Sequence, residues 1–77
     1  MLISTVKDFG TLIRSTRKKV GLNQSQLAAA SGVGERFVRE LEKGKPSCQL
    51  EKALLVARML GIKFDVILPP NVNENII

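Results

Sequence analysis

Four glycines, Gly21, Gly32, Gly44 and Gly61, each follow a stretch whose apolar residues recur at helical spacing. Glycine enters the left-handed conformation that ends a helix without a Cβ penalty. The chain therefore reads as four helices with abrupt stops. Thr5-Val6-Lys7-Asp8 opens the first as a capping box, in which the Thr5 hydroxyl and the Asp8 carboxylate satisfy free amides. Phe9, Leu12, Ile13 and Val20 form its inner face, and Lys18 and Lys19 suit the negative end of the helix dipole. This predicts a helix over Val6 to Lys19. Asn23, with Gln26 as reciprocal partner, caps a short second helix that stops at Gly32. Gly34 opens a third, from Glu35 to about Lys43, with Val38 and Leu41 inward. Pro46 and Ser47 punctuate, and a fourth runs from Ser47 or Cys48 to Leu60.

The fourth helix carries apolar residues over most of its circumference, including Leu50, Ala53, Leu54, Leu55, Val56, Ala57, Met59 and Leu60. Only Glu51, Lys52 and Arg58 give it a polar stripe. A helix apolar nearly all round must be covered nearly all round. One arc can face the other three helices; the rest calls for a second chain. After Gly61 the period changes to two: Ile62, Phe64, Val66 and Leu68 alternate with Lys63, Asp65 and Ile67, and Pro69-Pro70 ends the run. This predicts a strand over 62–68 with no second strand in the chain to pair it. A symmetric antiparallel pairing between two copies satisfies both edges. The expected dimer interface is thus Val56, Met59, Ile62, Phe64, Val66 and Leu68, and the tail over 69–77 is expected to be loosely ordered.

Seventy-seven residues make one domain near the lower limit of independent stability. With one cysteine, Cys48, and no histidine, an internal disulfide and the usual zinc ligand sets are excluded. No basic start with a long apolar run marks a signal peptide, and no stretch reaches the roughly 18 apolar residues that span a bilayer. A cytoplasmic protein is expected, with no membrane association, no cofactor and no metal. Nor is an enzyme expected. There is no histidine or tyrosine, and no phosphate loop or activated-serine arrangement. Glu35, Glu40 and Glu42 share a short helix with basic residues, a poor setting for a raised carboxylate pKa. Cys48 reads as a small residue near a helix start, and no resolving cysteine exists to make it a redox sensor.

The net charge is +5, and its placement is more informative than its size. Arg14, Arg17, Lys18, Lys19, Arg36, Arg39, Lys43 and Lys45 lie between Gly10 and Ser47, against Glu35, Glu40 and Glu42. That segment holds the whole excess. A local basic bias points to a polyanion, nucleic acid first. The same segment contains short helix, tight turn, short helix from Gln24 to Gly44, the spacing of a helix-turn-helix. In that motif the earlier helix braces the later one so that its N-terminal half projects into a major groove, which admits one α-helix.

The run Gly21-Leu22-Asn23-Gln24-Ser25-Gln26-Leu27-Ala28, then Gly32-Val33, then Leu41-Glu42-Lys43-Gly44-Lys45-Pro46 resembles the Xre family of phage-repressor-like helix-turn-helix proteins, over about Phe9 to Gly61. The stretch Arg36 to Pro46 and the strand after Leu60-Gly61-Ile62 resemble the HipB and Y4mF-type antitoxins within it. The resemblance implies an all-α, four- to five-helix, lambda-repressor-like domain over 5–61, with one C-terminal strand pairing across a homodimer. It implies a repressor on a palindromic double-stranded operator. It also implies an antitoxin that represses its own operon and binds a HipA-type kinase toxin. A stand-alone Xre-family regulator without a toxin is the alternative, and a protein-interaction module that does not bind DNA is a distant one.

Resemblance and helical geometry together put Glu35, Arg36, Arg39 and Glu40 at the base-reading positions of the third helix. Arg36 or Arg39 can make a bidentate contact to guanine, and a glutamate can accept from a cytosine amine. Gln24 and Ser25 open the second helix, where free amides favour a phosphate. Lys43 and Lys45 grip the backbone. Gly34 stands where this helix usually begins with a polar residue. Phe37 contacts a thymine methyl or simply packs. Arg17 and Glu42 match the family's internal ion pair and have a structural role.

Overall fold

The computed structural model describes residues 2–46 and 49–71. Among them lie four helices, α1 (Val6–Lys19), α2 (Gln24–Ser31), α3 (Glu35–Glu42) and α4 (Leu50–Met59), and no strand.

Each helix start follows from local chemistry. At α1 the Thr5 hydroxyl accepts the Asp8 amide at 3.0 Å. The reciprocal arm lands one residue early, with the Asp8 carboxylate accepting the Ser4 amide at 3.1 Å. At α2 the box is complete: Asn23 Oδ1 accepts the Gln26 amide at 2.7 Å and Gln26 Oε1 accepts the Asn23 amide at 2.8 Å. The stops share one geometry. At Gly21, φ is +81°, its amide donates to the Lys18 carbonyl, and the Leu22 amide reaches back to Arg17. The same paired bonds close α2, α3 and α4 after Gly32, Gly44 and Gly61. A helix end closed this way frees the chain to turn sharply with its last carbonyls paired.

α4 departs from expectation at its start. Its N-cap is Gln49 and its first turn begins at Leu50; the expected starts, Ser47 and Cys48, lie outside the described residues.

Ile13, Leu27, Val38, Leu41 and Val56 are fully buried and form the centre of the core, with Ala28, Ala53, Ala57 and Leu60 closing around them. α1 approaches α3 through Gly10. A Cβ there would meet the carbonyl oxygens of Leu41 and, at 2.9 Å, Glu42. This close approach sets the α1–α3 distance, and helical periodicity alone carries no sign of it.

Val56 belongs to this core and leaves no surface for a second copy, contrary to its expected place in a dimer interface. The reason is its angle on α4, where it shares the inward arc with Ala53, Ala57 and Leu60. Leu50, Leu55 and Met59 occupy the outer arc and stay exposed. Over 62–68 the single chain forms no strand ladder, since a ladder needs a second backbone that the chain does not provide. Ile62 packs against the core, and Phe64 lies over Phe9 with ring centroids 6.0 Å apart. Val66 and Ile67 are exposed. The expected tail beyond Asn71 lies outside the described residues. No helix among the described residues is long and apolar enough to cross a membrane.

Candidate nucleic-acid interface

α2 and α3 meet through Leu27, Ala28, Val38 and Leu41, joined by the turn at Gly32, Val33 and Gly34. Gly34 is the N-cap of α3 with an extended backbone and makes no side-chain cap bond. α3 is held in place by more than apolar contact. Arg17 on α1 donates from Nε to Glu42 Oε2 at 2.6 Å and from Nη2 to Glu42 Oε1 at 3.0 Å. Its Nη1 donates to the Leu22 carbonyl at 2.9 Å. Gln24 adds a fourth bond, from Nε2 to Glu42 Oε1 at 3.1 Å. The Arg17 and Glu42 side chains retain only 9% and 3% of their exposure. Hydrogen bonding to the Glu42 carboxylate raises the Arg17 pKa above its ordinary value, against the opposing effect of burial. One network thus ties α1, the α2 start and the α3 end into a rigid frame. The structural pair implied by the family resemblance is present.

Gln24 takes part in that frame through its side chain, so only its amide is left for the phosphate role expected of it. The Asn23 side chain takes the Gln26 amide, and the amides of Gln24 and Ser25 have no protein acceptor among the described residues. Ser25 is exposed.

The outward face of α3 carries Glu35, Arg36, Arg39 and Glu40. The Arg36 side chain is 83% exposed and Glu35 is exposed in the first turn. Glu40 is already occupied: Oε1 accepts from Arg36 Nε at 2.8 Å and Oε2 accepts from Lys45 Nζ at 2.8 Å. These hydrogen bonds, Lys45 first and Arg36 second, hold the Glu40 pKa below the ordinary glutamate value. With both oxygens on cations, Glu40 orients Arg36, whose terminal guanidinium nitrogens have no acceptor among the described residues. The Arg36–Glu40 arm has the i,i+4 spacing at which opposite charges on a helix pair, a signal the sequence carries, while the Lys45 arm depends on the turn after α3.

Arg39 lies apart from that pair. It lines a recess of about 310 Å3 with Arg14, Gln24, Glu42 and Lys43. Arg14, on α1, joins this cluster; its charge was visible in the sequence, its position beside α3 was not. Phe37 is half-buried against the core, with the Lys52 ammonium 6.0 Å from its ring centroid, so it packs. Among the described residues no group of three or more acidic or cysteine side chains gathers as a metal site.

A family profile described as helix-turn-helix matches residues 13–67. Two curated proteins are similar in sequence. An uncharacterised HTH-type transcriptional regulator, y4mF, of Sinorhizobium fredii is 45% identical over 67 residues, covering 87% of this chain and 88% of its own. An uncharacterised HTH-type transcriptional regulator of Methanothermobacter thermautotrophicus is 47% identical over 51 residues, covering 66% of this chain and 74% of its own. Among solved structures, HipB, as a variant in complex with an O2 20mer, superposes with a TM-score of 0.80 at 15% identity, covering 87% of this chain and 93% of that one. That likeness is one of fold. The frame around Glu42, the α2–turn–α3 unit and the matched residues lead to one assignment: the chain belongs to the helix-turn-helix family, of the Xre-like kind.

Proposed function

We propose that this protein binds double-stranded DNA as a homodimer and represses transcription, with α3 entering the major groove. The observation that carries this is Arg36. It stands out from a helix locked by the Arg17–Glu42–Gln24 network, with its Nε held by Glu40 and its Nη fork open. A guanidinium presented this way matches the O6 and N7 acceptors of guanine. Glu35 flanks it at the start of α3, and exposed Ser25, Lys43 and Lys45 would supply contacts to backbone phosphates. The names of the two relatives, both HTH-type transcriptional regulators, support the reading.

Dimerisation rests on the apolar surface that one chain leaves open. Met59 is 52% exposed, Phe64 56%, Val66 69% and Ile67 80%. Leu55 on α4, with Ile62 and Leu68 of the terminal segment, would complete the interface. Pairing of 62–68 between two copies supplies the ladder that one copy cannot form. Two copies of α3 would then read half-sites about 34–36 Å apart on a palindromic site.

The finer reading comes from the resemblance of Arg36 to Pro46 and of the segment after Ile62 to the HipB and Y4mF-type antitoxins: an antitoxin that represses its own operon and binds a HipA-type kinase toxin. The second reading is a stand-alone regulator without a toxin; both relatives are named HTH-type transcriptional regulators. Co-purification from native cells separates the two: a kinase travelling with the protein fits the first, none the second. The test of DNA recognition is selection from a random duplex pool followed by titration of Arg36→Ala. We expect a loss of about 1–3 kcal/mol on the selected site and relaxed preference at one base pair. An unchanged preference removes Arg36 from the reading set.

A further inference from the structure

Glu42 stands on the wall of the recess lined by Arg14, Gln24, Arg39 and Lys43, yet its charge is spent elsewhere. Both of its oxygens accept from Arg17, and Oε1 also accepts from Gln24. What remains in the recess is three cations from two helices: Arg14 on α1, Arg39 on α3 and Lys43 at the α3 C-cap. All three are exposed, and none has an ion-pair partner among the described residues. Three unpaired cations around one space repel each other unless an anion joins them. The space, about 310 Å3, holds a phosphodiester group with several waters of about 30 Å3 each.

Arg39 sits on the side of α3 that faces this recess. At 3.6 residues per turn it lies only about 60° round the helix from buried Glu42, whereas Arg36 lies about 120° away. Arg36 therefore points at what α3 enters, and Arg39 at what passes along its flank. We propose that Arg14, Arg39 and Lys43 clamp one backbone phosphodiester, with Arg14 a DNA contact contributed by α1 and Arg39 a phosphate contact and not a base reader. The inference rests on the DNA-binding reading and adds to it a contact outside the helix-turn-helix unit. The same site would fix the register of α3 along the groove, because a phosphate held from α1 and α3 together leaves the frame no freedom to slide.

The experiment is anisotropy titration of the full chain with a labelled mixed-sequence duplex, over about 50 to 200 mM salt, alongside duplex selection. Arg14→Gln should weaken binding on every sequence and flatten the slope of log affinity against log salt by about one unit per protomer. Arg14→Lys should keep the slope, since it keeps the charge. Arg39→Gln should flatten the slope likewise and select the same consensus as the parent protein. Thermal melts within a few degrees of the parent confirm that these exposed substitutions leave the fold intact. Unchanged slope in Arg14→Gln, or a consensus altered at one position in Arg39→Gln, overturns the proposal while DNA binding itself stands. A parent protein that binds no duplex even at low salt overturns both.

Discussion

Glu42→Ala tests whether the buried network holds α3 in place. The substitution removes the acceptor of three hydrogen bonds, two from Arg17 and one from Gln24. Arg17 keeps only its bond to the Leu22 carbonyl, and its side chain is 9% exposed, so water cannot replace what is lost without local opening. Breaking a buried ion pair from one side costs about 3–5 kcal/mol, because the remaining charge is left uncompensated. A domain of this size has roughly 4–12 kcal/mol in total, so the loss takes up a quarter or more of it. Each kcal/mol shifts the midpoint of a domain this small by about 4–8 °C, so a fall of at least about 12 °C is expected by circular dichroism melting. The double variant Arg17→Met/Glu42→Leu should recover most of that loss, since apolar replacement of a buried pair is often neutral or better. The Leu22 carbonyl and Gln24 amide then still lack a partner, which keeps the recovery incomplete. A loss below about 1 kcal/mol for Glu42→Ala, the range of an exposed pair, would refute the reasoning, as would a double variant no more stable than the single one.

Gly10→Ala should destabilise the fold even though alanine is the better helix former by about 1 kcal/mol. The new Cβ would press on the Leu41 carbonyl and sit 2.9 Å from that of Glu42, and overpacking against backbone costs about 3 kcal/mol or more at such close contact, leaving a net loss of about 2 kcal/mol in a urea melt. A stabilised variant would show that α1 and α3 are not in contact there. Glu40 should titrate below the ordinary glutamate range when followed by NMR of its carboxyl carbon. Because its folded pKa is lowered, its stabilising pairing with Lys45 and Arg36 is complete above the ordinary glutamate pKa. That pairing is lost as pH falls through the lowered value. Lys45→Ala should move the titration back toward the ordinary range; no movement would show that Lys45 does not pair with Glu40 in solution.

Much of the fold was legible in the residues because its signals are local. Thr5, Asn23 and Gln26 announce helix starts, and the glycines announce stops, through bonds that close within six residues. The α1 bounds follow the expected Val6 to Lys19 for that reason. The helix-turn-helix was legible as spacing, since a short helix, a glycine turn and a short helix leave few other arrangements. Apart from the Arg17–Glu42 pair, which the family resemblance implied, signals that depend on which faces meet were not legible. Val56 and Met59 are equally apolar in sequence, and only packing sends one to the core and leaves the other outside.

The sequence by itself therefore determined the four helices, their ends apart from the α4 start, and the basic character of the segment around α3, because capping, chain reversal and net charge are settled within a turn or two of chain. Tertiary structure decided the charge roles that cross between helices: Glu42 became a buried anchor for Arg17, and Arg14 a neighbour of Arg39 across 25 residues of chain. Such roles depend on distances between helices, and those were set by a missing side chain at Gly10 and by the core beneath it.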